Sequence, residues 1–266
     1  MYLEYWGFHK FPFENAPDPE FFFLSKIHEE GLIRLIYAAK MMKGCALLSG
    51  DIGCGKTTLT QVYVQELSHA RPDIALVVNP RLEPLEFLQE ILYQFGWARV
   101  PDTKLECLRL LNVKMLENMK MDKATLLIVD EAQVLSESAF EEIRLLLNFQ
   151  LNGRFLITVI LVGQPELQEK VRRIEQLNQR IAIRHYIRPF DHGDTVHYIN
   201  FRQNKAGRED SAFTPEAIDR VYEITKGVPR IINHLCDLSL LIGFSMQARV
   251  IDPKIIEDVV GDGAIF

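Results

Sequence analysis

Residues 45–58 read Cys45-Ala46-Leu47-Leu48-Ser49-Gly50-Asp51-Ile52-Gly53-Cys54-Gly55-Lys56-Thr57-Thr58. Cys45–Ser49 is a short apolar run suited to a buried strand, and helical spacing begins at Thr57. Between them stands a complete G-x-x-x-x-G-K-T from Gly50 to Thr57. A glycine-rich turn between strand and helix points its backbone N–H groups inward, and the helix N-terminus adds a favourable dipole for an anion. The expectation is a phosphate cradle made by Gly50, Asp51, Ile52, Gly53, Cys54, Gly55, Lys56, Thr57 and Thr58. Lys56 reaches the β- and γ-phosphates of a nucleotide, and the Thr57 hydroxyl sits on Mg²⁺.

Working outward, short apolar runs recur at Cys45–Ser49, Ile74–Val78, Leu126–Val129, Phe155–Val162 and Ile181–Ile187. Helical spacing fills about 57–69, 84–95, 104–120, 136–148 and 165–178. Continuous apolar strands alternating with helices predict an α/β core on a five-stranded parallel sheet covered on both faces. After Pro189 only helices are expected, at Asp191–Lys205, Thr214–Lys226, Pro229–Gln247 and Asp252–Val260. Thr214-Pro215 supplies an N-cap followed by proline at the first helical position.

Ahead of the core, aromatics from Tyr2 to Phe23 crowd around Pro12, Pro17 and Pro19, a density of proline that predicts an irregular arm docking its rings on a larger body. Ser25 then caps a helix to about Met42. The expected organisation is an arm and helix at 1–44, an α/β core at 45–188 and a C-terminal helical lid at 189–266.

Composition narrows the function classes. The chain has 266 residues, 48% apolar and 25% charged, enough for a large core and unlike a disordered chain. A net charge of −6 excludes a generally basic nucleic-acid coat and leaves only a local basic patch. The four cysteines, Cys45, Cys54, Cys107 and Cys236, have neither disulfide-framework nor zinc spacing, so reduced thiols and a cytoplasmic setting are expected. MYLEYWGFHK does not read as a signal peptide. The apolar stretch Ile231–Met246 is interrupted by Asn233, His234 and Asp237, so no transmembrane segment is expected.

The second chemical signal is Leu126-Leu127-Ile128-Val129-Asp130-Glu131, a buried strand ending in an acidic pair. Parallel sheets place ligands at their carboxyl ends, which suits Asp130 to Mg²⁺ and Glu131 to polarising an attacking water. Gln164, just past the strand 155–162, is placed to touch the γ-phosphate or that water. Arg180, before the fifth strand, is the candidate to enter a neighbouring subunit's site, with Arg184 as its rival. Arg230, in Gly227-Val228-Pro229-Arg230, is expected to reach from the lid to the γ-phosphate. Phe23, Leu24 and His28 are candidates to border the adenine.

With these residues in hand, the chain resembles an AAA+ ATPase, and more narrowly the ExeA/GspA-like ATPases of bacterial secretion and type IV pilus systems. The resemblance is carried by Met1-Tyr2-Leu3-Glu4, Gly7-Phe8, Pro12-Phe13, Pro17-Asp18-Pro19, Phe22-Phe23-Leu24-Ser25 and His28. It continues through Asn79-Pro80-Arg81-Leu82, Asp130-Glu131-Ala132-Gln133, Leu161 to Leu167, Gln179-Arg180-Ile181 and Gly227 to Asn233. It implies ATP hydrolysis with Mg²⁺ in the roles above, self-association into a ring or filament, and service to an envelope machine from the cytoplasm, peripheral to the inner membrane through partners. The secretion members' membrane helix and peptidoglycan-binding module have no counterpart in this stretch, so those properties are not carried over. Cys54 departs from the small or hydroxyl residue usual in such a loop and reads as an inert small residue, with a redox-sensitive thiol at a helix N-terminus as the alternative. Two other classes stay open. A DNA-bound regulator of the transposition type would use the basic stretch Lys170–Arg188, and a nucleotide switch would bind without doing work.

Overall fold

The computed structural model describes residues 2–67, 71–261 and 263. The chain divides into two compact units, one of residues 27–51 and 59–187, the other of residues up to Lys26, the segment Ile52–Thr58 and everything from Arg188.

The first unit is an α/β sandwich. Its strands are β1 (Cys45–Gly50), β2 (Asp73–Val77), β3 (Thr125–Val129), a hairpin of β4 (Gln150–Leu151) and β5 (Arg154–Phe155), then β6 (Thr158–Gly163) and β7 (Ile181–Ile187). Five of them form one parallel sheet in the order β2-β3-β6-β1-β7. Every residue of β1, β3 and β6 is buried, as continuous apolar strands covered on both faces must be. The helices around them are α2 (Lys26–Lys40), α3 (Lys56–Leu67), α4 (Pro84–Gln94), α5 (Lys104–Lys120), α6 (Glu137–Leu146), α7 (Glu166–Arg173) and α8 (Glu175–Asn178). Local chemistry sets their starts. The Ser136 hydroxyl accepts from the Ala139 N–H at 3.1 Å, and Pro84 occupies the first turn of α4 behind a Glu83/Glu86 capping box. β7 is an edge strand, and its outward carbonyl at Arg184 accepts from the Arg34 guanidinium at 2.9 Å, which blunts that edge against strand addition.

Two expected elements divide. The run 155–162 is not one strand, because Asn152 (φ 51°) and Gly153 (φ 74°) make a tight left-handed turn that folds Arg154–Phe155 back onto Gln150–Leu151. The helix expected over 165–178 breaks at Ile174, whose ψ of 79° is not helical. Residues 68–69 of the helix expected over 57–69 lie outside the described residues.

The second unit is helical: α1 (Leu3–Trp6), α9 (His192–Lys205), α10 (Pro215–Thr225), α11 (Pro229–Ser245) and α12 (Pro253–Gly261). The Thr214 hydroxyl caps α10 by accepting from the Ala217 N–H, with Pro215 at the first position. The aromatic arm belongs to this unit's core, where Tyr2, Trp6, Phe8, Phe13 and Phe21 pack with Val221, Leu235 and Leu240. Burying one such ring contributes about 1.5–3 kcal/mol. Irregular backbone needs donors, and buried Arg202 gives them: its Nε donates to the Pro12 carbonyl at 2.5 Å and its Nη2 to Glu14 at 2.9 Å. The Trp6 indole N–H donates to the Leu240 carbonyl at 2.9 Å.

Candidate active site

All five strands run the same way, so β1, β3 and β6 deliver Asp51, Asp130 and Gln164 to one edge of the sheet. Asp130 is 5% exposed, and its N–H donates to the Val77 carbonyl at 2.9 Å, which ties the end of β3 to β2. The Asp130 Oδ1 accepts from the Glu131 N–H at 2.8 Å. Glu131 itself has φ 51°, a left-handed conformation that non-glycine residues rarely hold and that tends to mark functional turns. Its carboxylate Oε2 accepts from Gln164 Nε2 at 3.3 Å, so the structure brings these two sequence-predicted residues together.

Gln133 joins them, and the sequence reading assigned it no role. Its Nε2 donates to the same Glu131 Oε2 at 2.5 Å, and its Oε1 accepts from the Gln164 backbone N–H at 3.1 Å. The Lys170 ammonium, on an exposed side chain of the basic stretch, donates to the Gln133 carbonyl at 2.5 Å.

Neighbouring strands fix the start of the glycine loop. A Cβ on Gly50 would lie 2.3 Å from the Ile187 carbonyl oxygen, so only glycine allows β7 to approach here. The Asp51 N–H donates to that carbonyl at 3.3 Å, and the Asp51 Oδ1 accepts from the Tyr186 hydroxyl at 2.8 Å. Ser49 Oγ, one residue before Gly50, accepts from Gln168 Nε2 at 2.6 Å. Tyr186 and Gln168 are further residues that no sequence motif pointed to.

The loop itself, in the helical unit, takes the conformation the motif calls for. Gly53 (φ 80°) and Gly55 (φ 83°) are both left-handed, and α3 opens directly at Lys56, so the loop runs straight into the helix N-terminus, the end whose dipole favours an anion. Lys56 is 7% exposed and Cys54 is fully buried, whereas Ile52 is 60% exposed. In the same unit Gly227 packs so closely on Phe190 that a Cβ would lie 1.9 Å from the Phe190 carbonyl oxygen, and Phe190 N–H donates back to Gly227 at 2.9 Å. That contact sets the start of α11, where the Arg230 N–H donates to the Gly53 carbonyl at 3.2 Å and the Arg230 side chain is exposed.

The remaining candidates are spread out. Phe23 packs against Phe190, Tyr198 and Phe201 at centroid distances of 5.6, 5.9 and 5.6 Å, Leu24 is exposed, and His28 is buried on α2. Arg180 precedes β7 and therefore lies at the amino edge of the sheet, about 20 Å along the strand from the carboxyl edge. Its Nη2 donates to Asn148 Oδ1 at 2.6 Å, and its Nη1 is buried with no hydrogen-bond partner. Arg184 is exposed, and its Nη2 donates to Asn178 Oδ1 at 2.7 Å.

Among the described residues no three His, Cys, Asp or Glu gather as a metal cage. Asp130 is a buried carboxylate and Thr57 carries a hydroxyl, each a hard oxygen donor of the kind Mg²⁺ takes. No helix of the described residues is long and apolar enough to cross a membrane.

A family described as an AAA domain matches residues 39–171. General secretion pathway protein A of Aeromonas hydrophila is 35% identical over 254 residues, which span 94% of this chain and 46% of that protein. The chain thus covers about half the length of this curated relative. Among solved structures, Cdc6p of Pyrobaculum aerophilum is similar with a TM-score of 0.67 at 15% identity, over 88% of this chain and 68% of that one. The Aeropyrum pernix ORC2 protein, solved in ADPNP–ADP complexes, gives 0.64 at 16% identity, over 93% and 72%. The Thermotoga maritima RuvB Holliday junction branch migration motor gives 0.60 at 18% identity, over 95% and 73%. At these identities the structures establish a shared fold.

Proposed function

We propose, from the premise that this chain belongs to the AAA domain family, that it binds and hydrolyses ATP with Mg²⁺. The observation that carries the reading is the pairing of the Gln164 amide with the Glu131 carboxylate, at the sheet edge where β1 runs into the glycine loop. The loop N–H groups and the Lys56 ammonium hold the phosphates. Thr57 and Asp130 would hold Mg²⁺, which would supply positive charge against the phosphates. Glu131 takes a proton from water, the water oxygen bonds to the γ-phosphorus, and the bond to the β–γ bridging oxygen breaks to leave ADP. Gln164 orients the water or the γ-phosphate, and Arg230 contacts the γ-phosphate from α11. Phe23, Leu24 and His28 border the adenine.

Arg180 lies at the opposite edge of the sheet from Glu131, which supports a role in a neighbouring copy's site and hence self-association into a ring or filament. Arg184, exposed on the edge strand, is the alternative for that role. The likeness to general secretion pathway protein A supports service to a secretion or pilus-type envelope machine, from the cytoplasm and peripheral to the inner membrane through partners. The DNA-bound alternative rests only on the basic stretch Lys170–Arg188, in a chain of net charge −6. The test is phosphate release from ATP with and without Mg²⁺, in the wild type and in Lys56→Ala. Mg²⁺-dependent release that Lys56→Ala abolishes supports the reading, and release unaffected by both contradicts it.

A further inference from the structure

We infer that Gln133 is a positioning residue for hydrolysis, setting the orientation of the Glu131 carboxylate and its distance from Gln164. The inference rests on the assignment of Glu131 as the base. Four hydrogen-bonding groups close a ring here: the Glu131 carboxylate, the Gln133 amide, the Gln164 backbone N–H and the Gln164 amide, which returns to Glu131. The ring joins the turn after β3 to the end of β6 by side-chain bonds, beyond the strand pairing itself.

Only an amide fills the Gln133 position. The Gln164 backbone N–H must face an acceptor, so the Gln133 oxygen points there and its NH₂ group points to Glu131. A carboxylate of the same size keeps the first bond and sets a like charge against Glu131. An apolar chain of the same size loses both bonds. Space is reserved for the amide: a Cβ on Gly163 would lie 2.6 Å from the Gln133 Oε1. The backbone is held too, with the Lys170 ammonium on the Gln133 carbonyl at 2.5 Å.

The chemical consequence concerns which carboxylate oxygen acts. Both amides reach Glu131 Oε2 and neither reaches Oε1. Glu131 Oε2 is therefore spent on orientation, and Oε1 is left to face the water whose proton is taken. The left-handed backbone at Glu131 aims the side chain, and the amide stops it rotating away.

The test compares Gln133→Glu and Gln133→Met with the wild type and with Glu131→Gln, measuring ATP turnover, the Kd for an ATP analogue and the melting temperature. Both Gln133 variants should lower kcat about 10- to 100-fold, as a misplaced catalytic group does, while the analogue binds as in the wild type. Wild-type kcat in both variants overturns the inference. So does a parallel fall in kcat, affinity and melting temperature, which is the mark of a structural residue. If Glu131→Gln turns over like the wild type, the base assignment itself has failed, and that result is read independently of the Gln133 variants.

Discussion

The backbone N–H of Arg230 donates to the carbonyl oxygen of Gly53 at 3.2 Å, so the first turn of α11 holds the middle of the glycine loop. The contact is close enough to dictate residue type. A Cβ on Gly53 would lie 2.7 Å from the Arg230 Cβ and 3.3 Å from Val228 Cγ1, and Gly53 is left-handed besides. The loop therefore has two reasons for glycine at this position, one conformational and one steric.

Gly53→Ala should combine both penalties, with backbone strain alone of about 1–3 kcal/mol. The expected outcome is ATP affinity weakened at least about tenfold, read by titration with a fluorescent ATP analogue. Unchanged affinity would show that the loop does not need its left-handed turn.

Tyr186 bonds to Asp51 at 2.8 Å from the edge strand, bracing the loop's entry from the side. Tyr186→Phe keeps the ring and removes the hydroxyl that makes this bond, which should cost about 0.5–1.5 kcal/mol. Nucleotide affinity should fall a few-fold with kcat little changed. Wild-type affinity would assign the bond to the fold of β7 and not to the loop.

His185 is 7% exposed on β7, with Nε2 bonded to the Ile27 carbonyl at 2.7 Å and Gly31 packed against its ring. Burial pushes its pKa below the ordinary value; Arg34 acts in the same direction, while the Ile27 bond and Glu30 oppose it. The unfolded chain therefore takes up this proton first, and the stability contributed by neutral His185 is full above about pH 6.5 and declines below it. The wild-type melting temperature should drop between pH 7.5 and 5.5, and His185→Gln should flatten that drop. An equally steep drop in the variant would remove His185 from the account.

The parts of this architecture written in local sequence were legible. The strand order aside, β1, β3 and the helices α4, α5 and α9 to α12 follow from apolar runs, caps and prolines such as Thr214-Pro215. The hairpin at Asn152-Gly153 was hidden because Phe155 and the β6 residues read as one apolar run. Gln168 and Tyr186 carry no motif, and Gln133 stands in the quoted run Asp130–Gln133 with no role attached to it. The Gln164, Ser49 and Asp51 groups they bond lie at the ends of other strands, so these contacts acquire meaning only once β3, β6, β1 and β7 are laid side by side. The arm's aromatics could be read as packing, but not which helices they pack on.

Self-association should depend on nucleotide. Mg²⁺ with a non-hydrolysable ATP analogue should shift the protein to a larger species in light scattering, and Arg180→Ala or Arg184→Ala should lower turnover without weakening nucleotide binding. Asn148→Ala, which frees the Arg180 guanidinium from its own chain, should leave the larger species intact. A strictly monomeric protein with full activity would contradict the trans arginine.

The central claim, that Glu131 activates water for attack on ATP held by the glycine loop, is tested most directly by measuring ATP binding and phosphate release side by side in Glu131→Gln. The substitution keeps size and polarity and removes the base. Binding should match the wild type while turnover falls by a factor of about 10²–10⁴, the usual worth of a positioned base. Wild-type phosphate release in Glu131→Gln would contradict the account.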